Sequence, residues 1–334
     1  PDALHSHEGN RLRSRGIIKY PDLRSIDRSA FLYSEAMNRY TNLHRIQQLD
    51  PRRDCHEIYR TMILVDFGGW DTLMGLQLAF YSTYGVPAIA ALLDQAGELL
   101  ARPRKRALDT ALLMLELVDH GFSHPQGQKV VQRLRRIHGR YQIANADYLY
   151  VLSALMVVPT RWLQRYGWRK VCCHEQAATY WFYRQLGQQL GIQHIPPSYQ
   201  AVEQWFVAFE GEHLRLTPAG RRLMQASRVL LVGRFPRPLA PLAGALADVL
   251  LHDRLRGAVG IGAPPRPIRA ALHLTLRMRA RLLGLGLLPA RREPVEAQGR
   301  KYGVPYHKVY PQGYTVADLG PADPAGFAGI AADR

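Results

Sequence analysis

From Met62 to about Leu251 the chain is written in long apolar segments whose large residues recur with a helical period, and period-2 alternation is almost absent. Such a chain buries its apolar stripes by packing helix against helix, so the fold class expected is all-α. The punctuation agrees. Gly85-Val86-Pro87, Arg102-Pro103, Gly121 to Pro125, Pro159, Gly191, Pro196-Pro197 and Pro218 cut the run into helices of ordinary length. Thr217 before Pro218 is an N-cap with proline at the first helical position, and Asn145 is placed to cap a helix through Tyr148 to Val158. Gly191 is placed to close a helix over residues 175–190.

Three regions follow from composition. Residues 1–45 are a polar arm, and 46–256 form the helical domain. Residues 257–334 hold a Gly/Pro linker, a helix near 268–283 ended by Gly284, and a tail that wraps the same body as extended chain. Net charge is +17. It is spread along the chain, densest at 102–106 and 133–140, with no zinc-finger spacing, basic region or RNA-binding sheet motif. Nucleic acid is therefore not the expected partner, and no obligate protein partner is inferred. An arginine-rich surface accounts for most of the charge; sharper uses are an anionic membrane surface or a negatively charged cofactor.

The three cysteines, with Cys172 and Cys173 adjacent, make no disulfide framework and suit a reducing compartment. Residues 1–20 lack an apolar signal core, and no run reaches the roughly 18 apolar residues of a spanning helix. The expected location is cytoplasmic, with peripheral membrane contact open.

Several motifs fail on inspection. His56-Glu57 and His174-Glu175 begin like a zinc-protease helix, but Arg60 and Ala178 stand where the second histidine is required. Gly257, Gly260 and Gly262 follow no strand, so they are a linker and not a dinucleotide loop. Cys172-Cys173-His174 is not a covalent haem-attachment site, and the adjacent cysteines read as small buried apolar residues. The aromatic set Tyr148, Tyr150, Trp162, Tyr166, Trp168, Trp181 and Tyr183 fits a core better than a channel lining.

One constellation survives. In the helix GQKVVQRLRRIHGRY, over 127–141, Val131, Leu134, His138 and Tyr141 share one otherwise apolar face. A histidine in such a stripe is either a satisfied core imidazole or the ligand of a metal enclosed by the pocket. The preceding segment, PRKRALDTALLMLELVDHG, places Arg106 and Thr110 at i, i+4 on one face. A cation and a hydroxyl together suit a site that polarises dioxygen above an iron, though a helix-start arginine and a back-bonded threonine give the same pattern. Arg135, one turn before His138, is placed to pair with a haem propionate.

RRIHGRYQI, NADYLYVLSALMVVPTRW, RYGWR, HEQAATYWF and LGIQHIPPSY, with KRALDT upstream and YPQGYTVADLGP late in the chain, resemble the MpaB/rubber oxygenase family over about Trp70 to Gly320. The resemblance implies a globin-like helical core around non-covalent haem b, with O2 as co-substrate. It implies His138 as proximal iron ligand and Arg106 with Thr110 on the distal side. It implies O2-dependent cleavage or oxidation of a C=C bond in a hydrophobic isoprenoid or lipid-like substrate, lying against side chains such as Leu113, Met114 and Leu117. Rubber-cleaving members carry Lys immediately before the threonine, where this chain has Asp109. That reversal is expected to alter how a distal pocket gates or polarises oxygen, and it favours a smaller prenylated or lipid-like alkene over rubber. Two other classes stay open at this level: a haem-binding carrier or sensor without turnover, and a basic module docking on anionic membranes through its arginine-rich C-terminal third.

Overall fold

The structure is a computed structural model and describes residues 40–232, 240–288, 296–297, 300–301 and 304–321. Fourteen α-helices are found among the described residues. They are α1 (Thr41–Ile46), α2 (Cys55–Arg60, running on into a π turn over Thr61–Asp66), α3 (Gly68–Ser82), α4 (Pro87–Ala96) and α5 (Glu98–Ala101). Then come α6 (Pro103–His120), α7 (Pro125–His138), α8 (Asn145–Tyr166), α9 (Cys173–Gln189) and α10 (Tyr199–His213). The chain continues through α11 (Pro218–Val232), α12 (Ala240–Leu250), α13 (Asp253–Ala258) and α14 (Arg266–Gly284). The class is all-α, as the periodicity requires. Most of the arm expected at 1–45 lies outside the described residues.

The long pair α3 and α8 forms the centre. They close tightly where a Cβ on Gly75 would lie 2.7 Å from the Pro159 Cα. The sequence reading has Pro159 end a helix, yet α8 runs through it to Tyr166. A proline costs an isolated helix its hydrogen bond, but here the ring is seated against Gly75, and that packing outweighs the local penalty. Nor does Asn145 cap α8: its side chain bridges to Gln193, accepting from the Gln193 amide at 2.8 Å and donating to the Gln193 carbonyl at 3.0 Å. Thr217 does cap α11, accepting from the Gly220 amide at 3.0 Å. Helix α14 keeps Gly284 within its last turn, because a Cβ there would meet the Trp168 carbonyl oxygen at 2.9 Å; left-handed Gly286 (φ 76) ends it instead.

The aromatic set is core. Tyr150, Trp162, Tyr166 and Tyr183 are buried, and their polar tips are satisfied: Tyr183 meets the Tyr59 hydroxyl at 3.0 Å, Trp162 donates to Asp71 at 3.1 Å, and Tyr150 donates to Glu210 at 3.1 Å. The segment between α8 and α9 has its own tie. Buried Arg169 holds both Glu175 oxygens, at 2.7 and 2.8 Å, and Asp66 at 2.5 Å, fastening α9 to the end of the π turn. Glu175 also accepts from the Cys172 amide at 3.0 Å. The cysteines depart from expectation: Cys172 is half-buried at the N-cap of α9 and Cys173 is exposed.

The described part of the tail holds a small antiparallel ribbon of β1 (Glu296–Ala297), β2 (Arg300–Lys301) and β3 (Val304–Pro305). Beyond it, Val316 and Leu319 are buried, and the segment lies along α6 and α7.

Candidate functional site

Helices α6 and α7 form a hairpin that carries Arg106, Thr110, Arg135 and His138. Its turn is built on two glycines. Gly121 adopts φ 72, ψ −179, a conformation open to glycine, and a Cβ on Gly127 would overlap the Gly121 carbonyl oxygen. Such an approach sets the two helices against each other and fixes what faces inward from each.

Of the expected stripe, α7 carries Val131 and Leu134, both buried, and half-buried His138 as its last residue, while Tyr141 lies beyond the helix end. The His138 Nδ1 donates to the Leu134 carbonyl at 2.8 Å, which places the lone pair on Nε2. Nε2 has no hydrogen-bond partner among the described residues. Burial pushes the imidazole down to about 4; the Leu134 carbonyl opposes this and the nearby Arg106 charge adds to it. His138 is therefore neutral at physiological pH. The Tyr148 ring, from the first turn of α8, packs on it with centroids 5.2 Å apart at 41°.

From α6, Arg106 and Thr110 face the same interior. Arg106 Nη1 donates to Thr110 Oγ1, and Thr110 Oγ1 donates to the Arg106 carbonyl at 3.0 Å. The guanidinium stands over the Phe80 ring, 5.5 Å from its centroid. Arg106 has no ion pair among the described residues, in contrast to Arg169. Burial lowers its basicity, with Tyr84 and Asp109 acting in the opposite direction, yet a guanidinium stays charged. A half-enclosed cation without a carboxylate suits an electron-rich ligand.

Arg135 is exposed at the end of α7, with no side-chain partner among the described residues. Leu113, Met114 and Leu117 are buried. Met114 lines an apolar cavity of only about 10 Å³ beside Tyr59, Thr72 and Tyr183, and Leu113 and Leu117 are core.

Asp109 also has partners in the tail. Next to Thr110 in sequence, it points about 100° around the helix from that residue. Its buried carboxylate takes Lys105 Nζ at 2.7 Å, the Tyr310 hydroxyl at 2.5 Å and the Gly320 amide at 2.9 Å. It anchors the tail, and its charge also acts on Arg106. Phe80, Tyr84 and Tyr148 are the neighbours that sequence reasoning did not place in the site. The Phe80–Tyr84 spacing of four, which brings their rings edge to face with centroids 5.3 Å apart, was the available signal.

Among the described residues no three His, Cys, Asp or Glu side chains converge on a metal position. His138 would thus serve a metal as its single protein ligand, which suits one that brings its own equatorial ligands, as haem does.

The catalytic-domain model described as ER-bound oxygenase mpaB/B'/rubber oxygenase matches residues 66–282. The chain belongs to this family. The ER-bound oxygenase mpaB' of Penicillium brevicompactum is 30% identical over 207 residues, spanning 56% of this chain and 49% of that protein. The ER-bound oxygenase mpaB of the same organism is 30% identical over 216 residues, with 59% and 54% covered. That of Penicillium roqueforti is 28% identical over 202 residues, with 55% and 67% covered. The chain thus spans about half the length of the first two relatives. The matched segment runs from the end of the π turn into α14.

Proposed function

We propose that this chain is an oxygenase that depends on haem b, held through His138 Nε2, and that it uses O2 to cleave or oxidise a C=C bond in a hydrophobic isoprenoid or lipid-like substrate. One observation carries the proposal: a neutral imidazole whose Nδ1–H is fixed on the Leu134 carbonyl while Nε2 is left unpartnered. That is how ligating histidines are prepared, since the outer hydrogen bond sets the tautomer and aims the other nitrogen.

Haem b, when bound, supplies the activation of O2 that side chains cannot perform. The chain's own residues do the rest. Tyr148 holds the His138 ring by packing, and Leu134 orients it. Exposed Arg135 would pair with a propionate carboxylate at the rim. Arg106 supplies a fixed positive charge toward developing negative charge, and Thr110 orients it by accepting its N–H. The apolar walls of α6 and α7 exclude water. The relatives are described as ER-bound, and no single helix among the described residues is long and apolar enough to cross a membrane; we place this chain peripherally at a membrane surface.

The test is the visible spectrum of the purified protein, titrated with haemin. A haem band that is lost in His138→Ala but retained in His120→Ala and His124→Ala is the expected result. A wild-type protein that takes up no haem, or a His138→Ala variant with an unchanged spectrum, overturns the assignment.

A further inference from the structure

Helix α14 has two different sides. Its inner side is anchored: Leu276 and Ala280 are buried, His273 Nδ1 meets the Tyr166 hydroxyl at 2.6 Å, and Arg279 lies on the Trp70 ring and pairs with Asp71 at 3.1 Å. Its outer side is a row of large apolar residues in solvent. Leu274, Met278 and Leu285 are 61%, 51% and 63% exposed, and Leu287 follows in the turn at 55%. Spacings of four and seven put the first three on one stripe. Exposed Arg277 and Arg281 border that stripe. The helix holds five arginines and no acidic residue. Arg269 and Arg279 have acidic partners, while Arg277 and Arg281 have none among the described residues. Burial holds the His273 imidazole below its usual range, and the charges of Arg165, Arg277 and Arg269 push it the same way, so α8 adds to the same basic surface.

A single exposed leucine needs no explanation, but an aligned row edged by unpaired arginines does. We propose that this outer face of α14, with the turn that follows it, docks in plane on an anionic phospholipid bilayer. Leu274, Met278 and Leu285 enter the acyl boundary, and Arg277 and Arg281 lie along it with their guanidiniums on headgroup phosphates. The charge selects the occupant. A second copy of the chain would bring like-charged arginine rows together, and a nucleic acid would leave the apolar stripe uncovered. This face is the surface for the peripheral association proposed above, and it stands apart from the haem assignment.

The experiment is co-sedimentation of the full chain with phosphatidylcholine vesicles, with and without phosphatidylserine, across a salt series. Binding is expected to require the anionic lipid and to fall with salt. The Leu274→Asp/Met278→Asp variant should bind at least about tenfold more weakly at unchanged helical content and melting temperature. Arg277→Gln/Arg281→Gln should weaken binding and flatten its salt dependence. Leu216→Asp, at another exposed apolar position (57%), should bind as wild type. Wild-type affinity in the Leu274→Asp/Met278→Asp variant overturns the assigned face while leaving peripheral association standing. Wild type that binds neither vesicle overturns both. A dimer in sedimentation velocity that this variant dissolves assigns the face to a second copy and also overturns the proposal.

Discussion

The Tyr310 hydroxyl donates to Asp109 at 2.5 Å across 201 residues of chain, and the same carboxylate holds Lys105 and the Gly320 amide. Arg133 on α7 completes the clasp by donating to the Leu319 and Pro321 carbonyls, each at 2.8 Å. Segment 304–321 therefore straps the two helices that present Arg106, Thr110 and His138. Asp109→Ala would leave the buried Gly320 amide without its acceptor and remove the counter-charge of Lys105, which keeps the Asp318 and Gly320 carbonyls. It should cost about 2–4 kcal/mol in denaturant unfolding. Tyr310→Phe removes one donor and should cost about 1 kcal/mol. The double variant should fall short of their sum, since both act on one contact.

What the sequence made legible was whatever is local to one helix. The stripe of Val131, Leu134 and His138 and the Arg106–Thr110 pair are fixed by helical spacing alone, and the structure keeps both. Pro159 departs from expectation because a local rule meets a tertiary fact, the glycine opposite it on α3. The tail contacts of Asp109 and Arg133 escape the sequence for the same reason. In sequence one is a charge beside a threonine and the other belongs to an arginine run. Their partners lie roughly two hundred residues away, and no periodicity reports them.

His138 makes stability depend on pH. Its imidazole is held at about 4 in the folded chain, against 6.5 when free of the fold. Between these values the unfolded chain binds a proton that the folded chain refuses. The contribution is therefore complete above pH 6.5 and is lost as pH falls toward 4, by at most about 3 kcal/mol. Urea midpoints at neutral pH and near about pH 4.5 should draw apart by more in wild type than in His138→Gln. An equal separation in both proteins would assign the acid sensitivity elsewhere. Protons also compete for Nε2 only near pH 4, so any metal held there should stay bound across the mildly acidic range.

Gly127 tests whether hairpin geometry matters to the site. A methyl group there cannot coexist with the Gly121 carbonyl oxygen, so α7 must shift bodily. Gly127→Ala should lose about 2–4 kcal/mol, although alanine favours helices. It should also disturb the packing of Tyr148 on His138, to be read from the NMR shifts of the His138 ring protons. Ala107→Ser, a half-buried change on α6, serves as the mild comparison.

Arg106 separates stability from function. It holds a charge in a half-enclosed site with only a hydroxyl and an aromatic ring for company, an arrangement that lowers stability unless something else uses the charge. Replacing it with a residue of similar reach and no charge removes that desolvation, so Arg106→Met should leave the unfolding midpoint unchanged or raise it. If the guanidinium stabilises charge that develops during oxidation, turnover should fall about 10²–10³-fold in the same variant. Oxygen uptake with a prenylated alkene, measured alongside thermal unfolding, reads both quantities. A variant that loses stability and activity in proportion would instead make Arg106 a structural residue. Thr110→Val sharpens the distinction. It should leave the charge in place while releasing its orientation, giving a smaller loss of turnover at a stability cost of about 1 kcal/mol or less.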